Sequence, residues 1–277
     1  MARPLRLCLP GAIYHVIARG NAGGPIYRDD LDREYFLAQL DHVVDRFSWL
    51  CHSYCLLSTH YHLVVENPLP NLPLGMRQLN GKHASRYNRR HDRRGHVFEA
   101  RYRSILVEGA QYLLAVCRYV VLNPVQAGIC SRPEEWPWSS YRATVGLDPA
   151  PRFLTTATIL GELGDTVASA QAAWAEFVAA CIAEALAERV RGERIGSDVF
   201  LSERFGLEPP LPEIPRLQVE PERRPLPDIF ETEALPIASA YRSHGYALRE
   251  IGAHLGCHYS TVSRRLAREE RALREAG

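Results

Sequence analysis

Two apolar stretches, WLCHSYCLL (49–57) and HYHLVVEN (60–67), read as short strands with only a tight connection between them, and this pair constrains the fold more than any other feature of the chain. So short a connection leaves no room for a crossover, and antiparallel pairing follows. AIYHVIARGN (12–21) is rich in β-formers and ends in a Gly-Asn turn signal, while RDDLDREYFLAQLDHVVDRF (28–47) carries Leu37, Leu40, Val44 and Phe47 at helical spacing. A helix with many basic residues follows from Leu72 to His91, and strand alternation resumes over VFEARYRSILVE (97–108). AQYLLAVCRYVVLNPV (110–125) then reads as a helix stopped by Pro124. The order βαββαβα implies an α+β fold, helices packed on an antiparallel sheet.

The remaining chain divides by composition. Ala-rich helices such as AQAAWAEFVAACIAEALAERV (170–190) show a packing stripe of Trp174, Phe177, Val178 and Ile182. Seven prolines between Pro209 and Pro227 favour an extended linker, and no internal repeat is visible. The expected organisation is a main domain over 1–145, a helical extension over 146–206, a proline-rich linker over 207–228 and a small all-α module over 229–277. A formal net charge of +1 over 277 residues names no partner, so any nucleic-acid preference must come from local clustering. The seven cysteines are scattered and odd in number, and no signal-peptide pattern opens the chain, which fits a reducing cytoplasm. No apolar run approaches the roughly 20 residues that a membrane span needs.

His60 and His62 interrupt the second of the paired strands on one face. Residues i and i+2 of a strand lie about 6.6 Å apart, close enough for two imidazoles to converge on one cation. Glu66 shares the face but lies about 13 Å away, too far to join them. A third ligand must come from another element. In CRYVVLNPVQAG (117–128), Tyr119 and Asn123 are i and i+4 on one helix face and could both point at the ion. Tyr112 lies seven residues before Tyr119 on nearly the same face, and spacing alone does not separate the two tyrosines.

THYH (59–62) and RYVVLNPVQAG (118–128), together with YHVIARGN, GHVFEARYRS and WPWSSYRA, resemble the REP-associated tyrosine transposases, relatives of the IS200-type HUH transposases. The resemblance covers about residues 5–145 and implies the HUH, ferredoxin-like transposase fold. It further implies that His60 and His62 are the paired metal ligands, that Asn123 completes a divalent-metal site (Mn²⁺ or Mg²⁺) and that Tyr119 is the nucleophile. The implied reaction is cleavage and strand transfer of single-stranded hairpin DNA through a 5′-phosphotyrosine. Thr59 stands where the family often has Asn, and Gln126 where it often has Arg. Those changes bear on hydrogen bonding and DNA contact more than on the chemistry. The chain lacks a P-loop: the stretch from Gly75 to His83 has five residues before its Gly-Lys pair and His83 where Ser or Thr belongs.

Between Arg77 and Arg103 nine Lys or Arg stand against Asp92 and Glu99, a local excess of seven positive charges. Within this run Arg86, Arg89, Arg90, Arg93, Arg101 and Arg103 are candidate phosphate contacts, with Tyr87, His91, Phe98 and Tyr102 interleaved as candidate stacking surfaces. Arg19 and Asn21, in the RGN turn, join them by resemblance. Cys51, His52 and Cys55 read as buried residues in preference to a metal cluster, and His15 reads as structural. GYALREIGAHLGCHYSTVSRRLARE (245–269) follows helix-turn-helix logic: Ile251, Leu255, a Gly256 turn, then Val262 and Leu266. Its second helix would present Ser260, Thr261, Ser263 and Arg264 to duplex DNA. Two competing readings are a duplex-binding regulator whose transposase-like domain has lost catalysis, and a metal phosphodiesterase that uses water. Target sequence and oligomeric state are not legible.

Overall fold

The computed structural model describes residues 9–107, 110–182, 224–242, 244 and 246–275. Its centre is a four-stranded antiparallel sheet in the order β2-β3-β1-β4, built from β1 (Ala12–Arg19), β2 (Leu50–Leu56), β3 (His60–Asn67) and β4 (Arg103–Val107). Ten α-helices accompany it among the described residues. The expected α+β architecture is therefore observed, with the βαββαβ order of a ferredoxin-like unit.

Strand alternation explains the layers. One face, with Tyr14, Val16, Tyr54, Tyr61, Leu63 and Val65, packs on α1 (Asp30–Phe47) and α2 (Leu72–Arg90) through Phe36, Leu40, Met76 and Leu79. The other, with Cys55, Leu57 and Val64, packs on α3 (Ala110–Gln126) through Val116, Val120 and Val121, and this second core extends to Trp174 and Val178. Short helices α4 (Tyr141–Thr144) and α5 (Ala157–Gly161) lead into α6 (Val167–Ala179), which Thr166 caps by accepting from the Ser169 N–H. A bulge at His52 splits the register of β2 against β3, so Cys51 joins the first core and Cys55 the second. The two thiols thus lie on opposite sides of the sheet and cannot share a cation.

Three expectations change. Residues 97–101 are not strand: they wrap the RGN turn, where the Asn21 N–H donates to the Val97 carbonyl and the Glu99 N–H to the Arg19 carbonyl. Pro124 does not stop α3, which continues to Gln126. Proline leaves the Val120 carbonyl without its helical donor, and the Asn123 side-chain amide reaches both that carbonyl (3.5 Å) and the Tyr119 carbonyl (2.9 Å). The expected linker also ends earlier, because α7 (Leu226–Thr232) begins inside it; residues 183–223 of the extension and linker lie outside the described residues.

The C-terminal helices α7, α8 (Pro236–Arg242), α9 (Leu248–His254) and α10 (Tyr259–Glu275) enclose their own core of Ile229, Ile237, Ala240, Ile251, Val262 and Leu266. The turn between α9 and α10 has Gly256 at φ 64°. Gly252 is equally constrained, since a Cβ there would stand 2.7 Å from the Cys257 carbonyl oxygen. None of the described helices is long and apolar enough to cross a membrane.

Candidate functional site

The register of β1, β3 and β4 builds the site on the α3 face. Arg19 lies opposite His60, and Ile17 opposite His62 on one side and Arg103 on the other. His15 is diagonal to His62, one step further along β1. Four side chains predicted from sequence, Arg19, His60, His62 and Arg103, therefore share one face and one end of the sheet.

The imidazoles of His60 and His62 have centroids 5.1 Å apart, with planes at 74°. From α3 the Tyr119 ring meets the edge of His62 at 5.7 Å and of His15 at 5.8 Å. Tyr119 is thus the tyrosine lying against the histidines, whereas Tyr112 is a half-buried part of the second apolar core. Asn123, 5% exposed, belongs to the same helical turn. Its nitrogen is committed to the helix carbonyls, which leaves the amide oxygen as the atom that can face a cation.

Burial holds these imidazoles neutral. Desolvation, assisted by the Arg19 charge, lowers the His60 pKa to about 4. Desolvation pushes His62 well below the usual value, with His15, His60 and Arg19 adding to the effect. A neutral imidazole is the form that ligates metal. Nδ1 of His62 lies 2.9 Å from Nε2 of His15, and its Nε2 is buried without a hydrogen-bond partner. An orphaned ring nitrogen beside a second histidine is a donor pair of the kind that can hold a divalent cation, and the Asn123 amide oxygen, one helical turn from Tyr119, could supply a third donor. Among the described residues no group of three or more His, Cys, Asp or Glu side chains is placed to hold a metal, so such a site would need Asn123.

The basic run is distributed more widely than expected. Helix α2 lies on the opposite face of the sheet from α3, yet its C-terminal half reaches the His60 end: His83 bonds the Ile26 carbonyl and Tyr87 the Pro25 carbonyl. Arg86 stacks on Tyr35 at 4.3 Å, and Arg93 lies over Tyr87 at 5.5 Å. Arg90 pairs with Asp29 and with buried Asp32, each at 2.6 Å, and His91 bonds Asp32 at 2.8 Å. Arg89, Arg101 and Arg103 are exposed. Tyr87 and Tyr102 are buried, so as placed they offer no stacking surface. The RGN turn is tight: a Cβ on Gly20 would overlap the Gly24 carbonyl, which requires glycine and fixes Arg19 and Asn21 on either side.

On α10, Ser260, Ser263 and Arg264 are exposed and Thr261 is half-buried. His258 precedes the helix and caps it, its Nδ1 lying 2.9 Å from the Ser260 hydroxyl. Sequence reasoning read His15 as structural and did not place it beside His62. Its signal was present, a histidine in a strand flanked by Ile13 and Ile17 on the same face, but only the register shows that it reaches His62.

No family model matches the chain, and a search of curated proteins found no match. Among solved structures, one described as the structure of the REP associates tyrosine transposase bound to a REP hairpin aligns with 14% identity and a TM-score of 0.46, covering 61% of this chain and 97% of that chain. At those values the functional argument rests on the site itself.

Proposed function

We propose that this chain is a metal-dependent DNA strand transferase in which Tyr119 attacks a phosphodiester of single-stranded, hairpin-bearing DNA. The observation that carries the proposal is the meeting of Tyr119 with the His60–His62 pair on the side of the sheet that also bears Arg19 and Arg103. His60, His62 and the Asn123 oxygen would hold a divalent cation, Mn²⁺ or Mg²⁺, which when bound neutralises phosphate oxygens. All three donors are neutral, so the cation's charge would act on the phosphate undiminished. Arg19 and Arg103 would orient the strand by its backbone.

The phenol oxygen of Tyr119 forms a bond to phosphorus as the bond to the departing 3′ oxygen breaks. Tyr119 loses its proton and the 3′ oxygen gains one. The product is a 5′-phosphotyrosine with a free 3′-hydroxyl, and because the phosphodiester is exchanged and not hydrolysed, rejoining needs no ATP. Tyr119 is only 3% exposed, so a strand would have to displace part of its packing to reach the phenol. The exposed serines and Arg264 of α10 would read duplex DNA beside the cut, as the second helix of a helix-turn-helix does.

Incubation with a single-stranded hairpin and Mn²⁺, followed by denaturing electrophoresis, tests the reading. Wild type should form a covalent protein–DNA adduct and Tyr119→Phe none, while hairpin affinity changes by less than about 3-fold because the substitution removes one oxygen and little surface. An adduct that persists in Tyr119→Phe and vanishes in Tyr112→Phe would move the nucleophile. Undiminished cleavage in EDTA would reject the metal.

A further inference from the structure

His15 is fully buried, and the reaction described above gives it no task. Its Nε2 lies 2.9 Å from Nδ1 of His62. The ring centroids are 5.1 Å apart with 19° between the planes, so the imidazoles are nearly parallel. The contact joins one nitrogen of each ring, and the far nitrogens, Nδ1 of His15 and Nε2 of His62, are both buried without partners.

We propose that His15 is a positioning residue for the metal site: by accepting from Nδ1–H of His62 it fixes the tautomer and ring angle that aim the Nε2 lone pair of His62 at a divalent cation. The inference rests on the reading of His60 and His62 as metal ligands and adds the residue that orients one of them.

The shared proton can lie in two ways. If His15 donates from Nε2, then His62 carries its hydrogen on Nε2 and cannot ligate through that atom. If His62 donates from Nδ1, its Nε2 bears a lone pair, and His15 carries its own hydrogen on Nδ1. Only the second arrangement makes a ligand. His15 is not itself a ligand on the shared side, because a cation bridging the two nitrogens in line would need them about 4 Å apart at ordinary metal–nitrogen lengths. Packing alone does not account for it either. His15 sits between Ile13 and Ile17 on one strand face, where an apolar side chain would fill the space without leaving a buried ring nitrogen unpartnered. Ligating histidines commonly donate their second ring nitrogen to an acceptor that sets tautomer and orientation, and here the acceptor is another imidazole.

The test uses the full-length protein without DNA. Mn²⁺ binding is measured calorimetrically for wild type, His15→Leu, His15→Gln and His60→Ala, and imidazole nitrogen NMR reports the His62 tautomer. His15→Leu should unfold at the same temperature or higher yet bind Mn²⁺ about 10–100-fold more weakly. His15→Gln, whose amide oxygen can accept from Nδ1, should recover most of the affinity. Wild-type His62 should carry its hydrogen on Nδ1. His15→Met replaces His15→Leu should the latter fail to fold. Equal affinity of the apolar variant and wild type, or no recovery in His15→Gln, would each overturn the inference while leaving the metal reading intact, whereas a wild-type His62 protonated on Nε2 would overturn the inference and take His62 out of the ligand set as well. Binding by wild type no tighter than by His60→Ala would instead reject the metal reading, and the inference with it.

Discussion

The site histidines illustrate how burial sets chemistry one residue at a time. Desolvation lowers His15 to about 3 and His60 to about 4, while an unfolded histidine titrates near 6.5. Below about pH 6.5 the unfolded chain therefore binds protons that the folded one refuses, and stability falls with pH. The loss continues until the folded groups themselves protonate, near 4 for His60 and near 3 for His15. The carboxylates at the start of α1 do not confuse the upper part of that window: Asp29 is held below the usual carboxylate value by its hydrogen bond from Arg90, and Asp32, against the cost of its burial, by the Arg28 backbone N–H, His91 and Arg90. The melting temperature of metal-free protein should be flat from pH 8 to 7 and decline from 6.5 to 5, with a shallower decline in His60→Gln. A flat profile down to pH 5 would contradict the burial argument.

At the scale of elements, α2 separates two kinds of arginine that the sequence presents as one run. Arg89 is exposed, whereas Arg90 ties the end of α2 to the start of α1 through Asp29 and Asp32, the latter 2% exposed. Arg90→Ala should take the guanidinium from a buried carboxylate that keeps only His91 and the Arg28 N–H and lower the melting temperature by about 2–4 °C. Arg89→Ala should leave melting unchanged but weaken hairpin binding and flatten its salt dependence by about 0.7 per lost phosphate contact. A salt slope unaltered in Arg89→Ala would remove α2 from the DNA path. Strands β1, β2 and β3 were legible as short apolar runs because both faces of the sheet are covered, and α1 by its helical period because it buries one face. Less legible was whatever depends on partners distant in sequence: the wrapping of 97–101 round the RGN turn, the Asp29–Arg90 pairing, and the His15–His62 contact. Pro124 misled for a local reason, since the neighbouring Asn123 amide donates to the carbonyl that proline cannot serve. The His60–His62–Tyr119 grouping was legible from spacing and resemblance together, and the register supplies its geometry.

Across the whole molecule, the C-terminal helices do not hang from the proline-rich segment alone. Arg46, in the last turn of α1, stacks on the Tyr241 ring at 3.9 Å and donates to the carbonyls of Tyr241 (3.4 Å) and Tyr246 (2.9 Å), while bonding Gln78 of α2. One guanidinium thus closes the C-terminal end of α8 and anchors the module to the α1–α2 layer, the layer opposite α3. Carbonyl bonds from a charged donor and a cation–π contact together suggest a docking contribution of about 2–4 kcal/mol. The module keeps a core of its own, and no residue of the His60–His62–Tyr119 grouping comes from it. Arg46→Ala should therefore leave cleavage of short hairpins within about 2-fold of wild type. In calorimetry the single transition should split, with the module melting first, since its own core is only that of four helices. On substrates carrying a duplex flank, wild type should favour one separation between flank and hairpin, because a docked module holds α10 at a fixed distance from Tyr119. Arg46→Ala should tolerate a range of separations. If wild type shows no such preference and the variant melts in one unshifted transition, the Arg46 contact does not couple the module to the cleavage site.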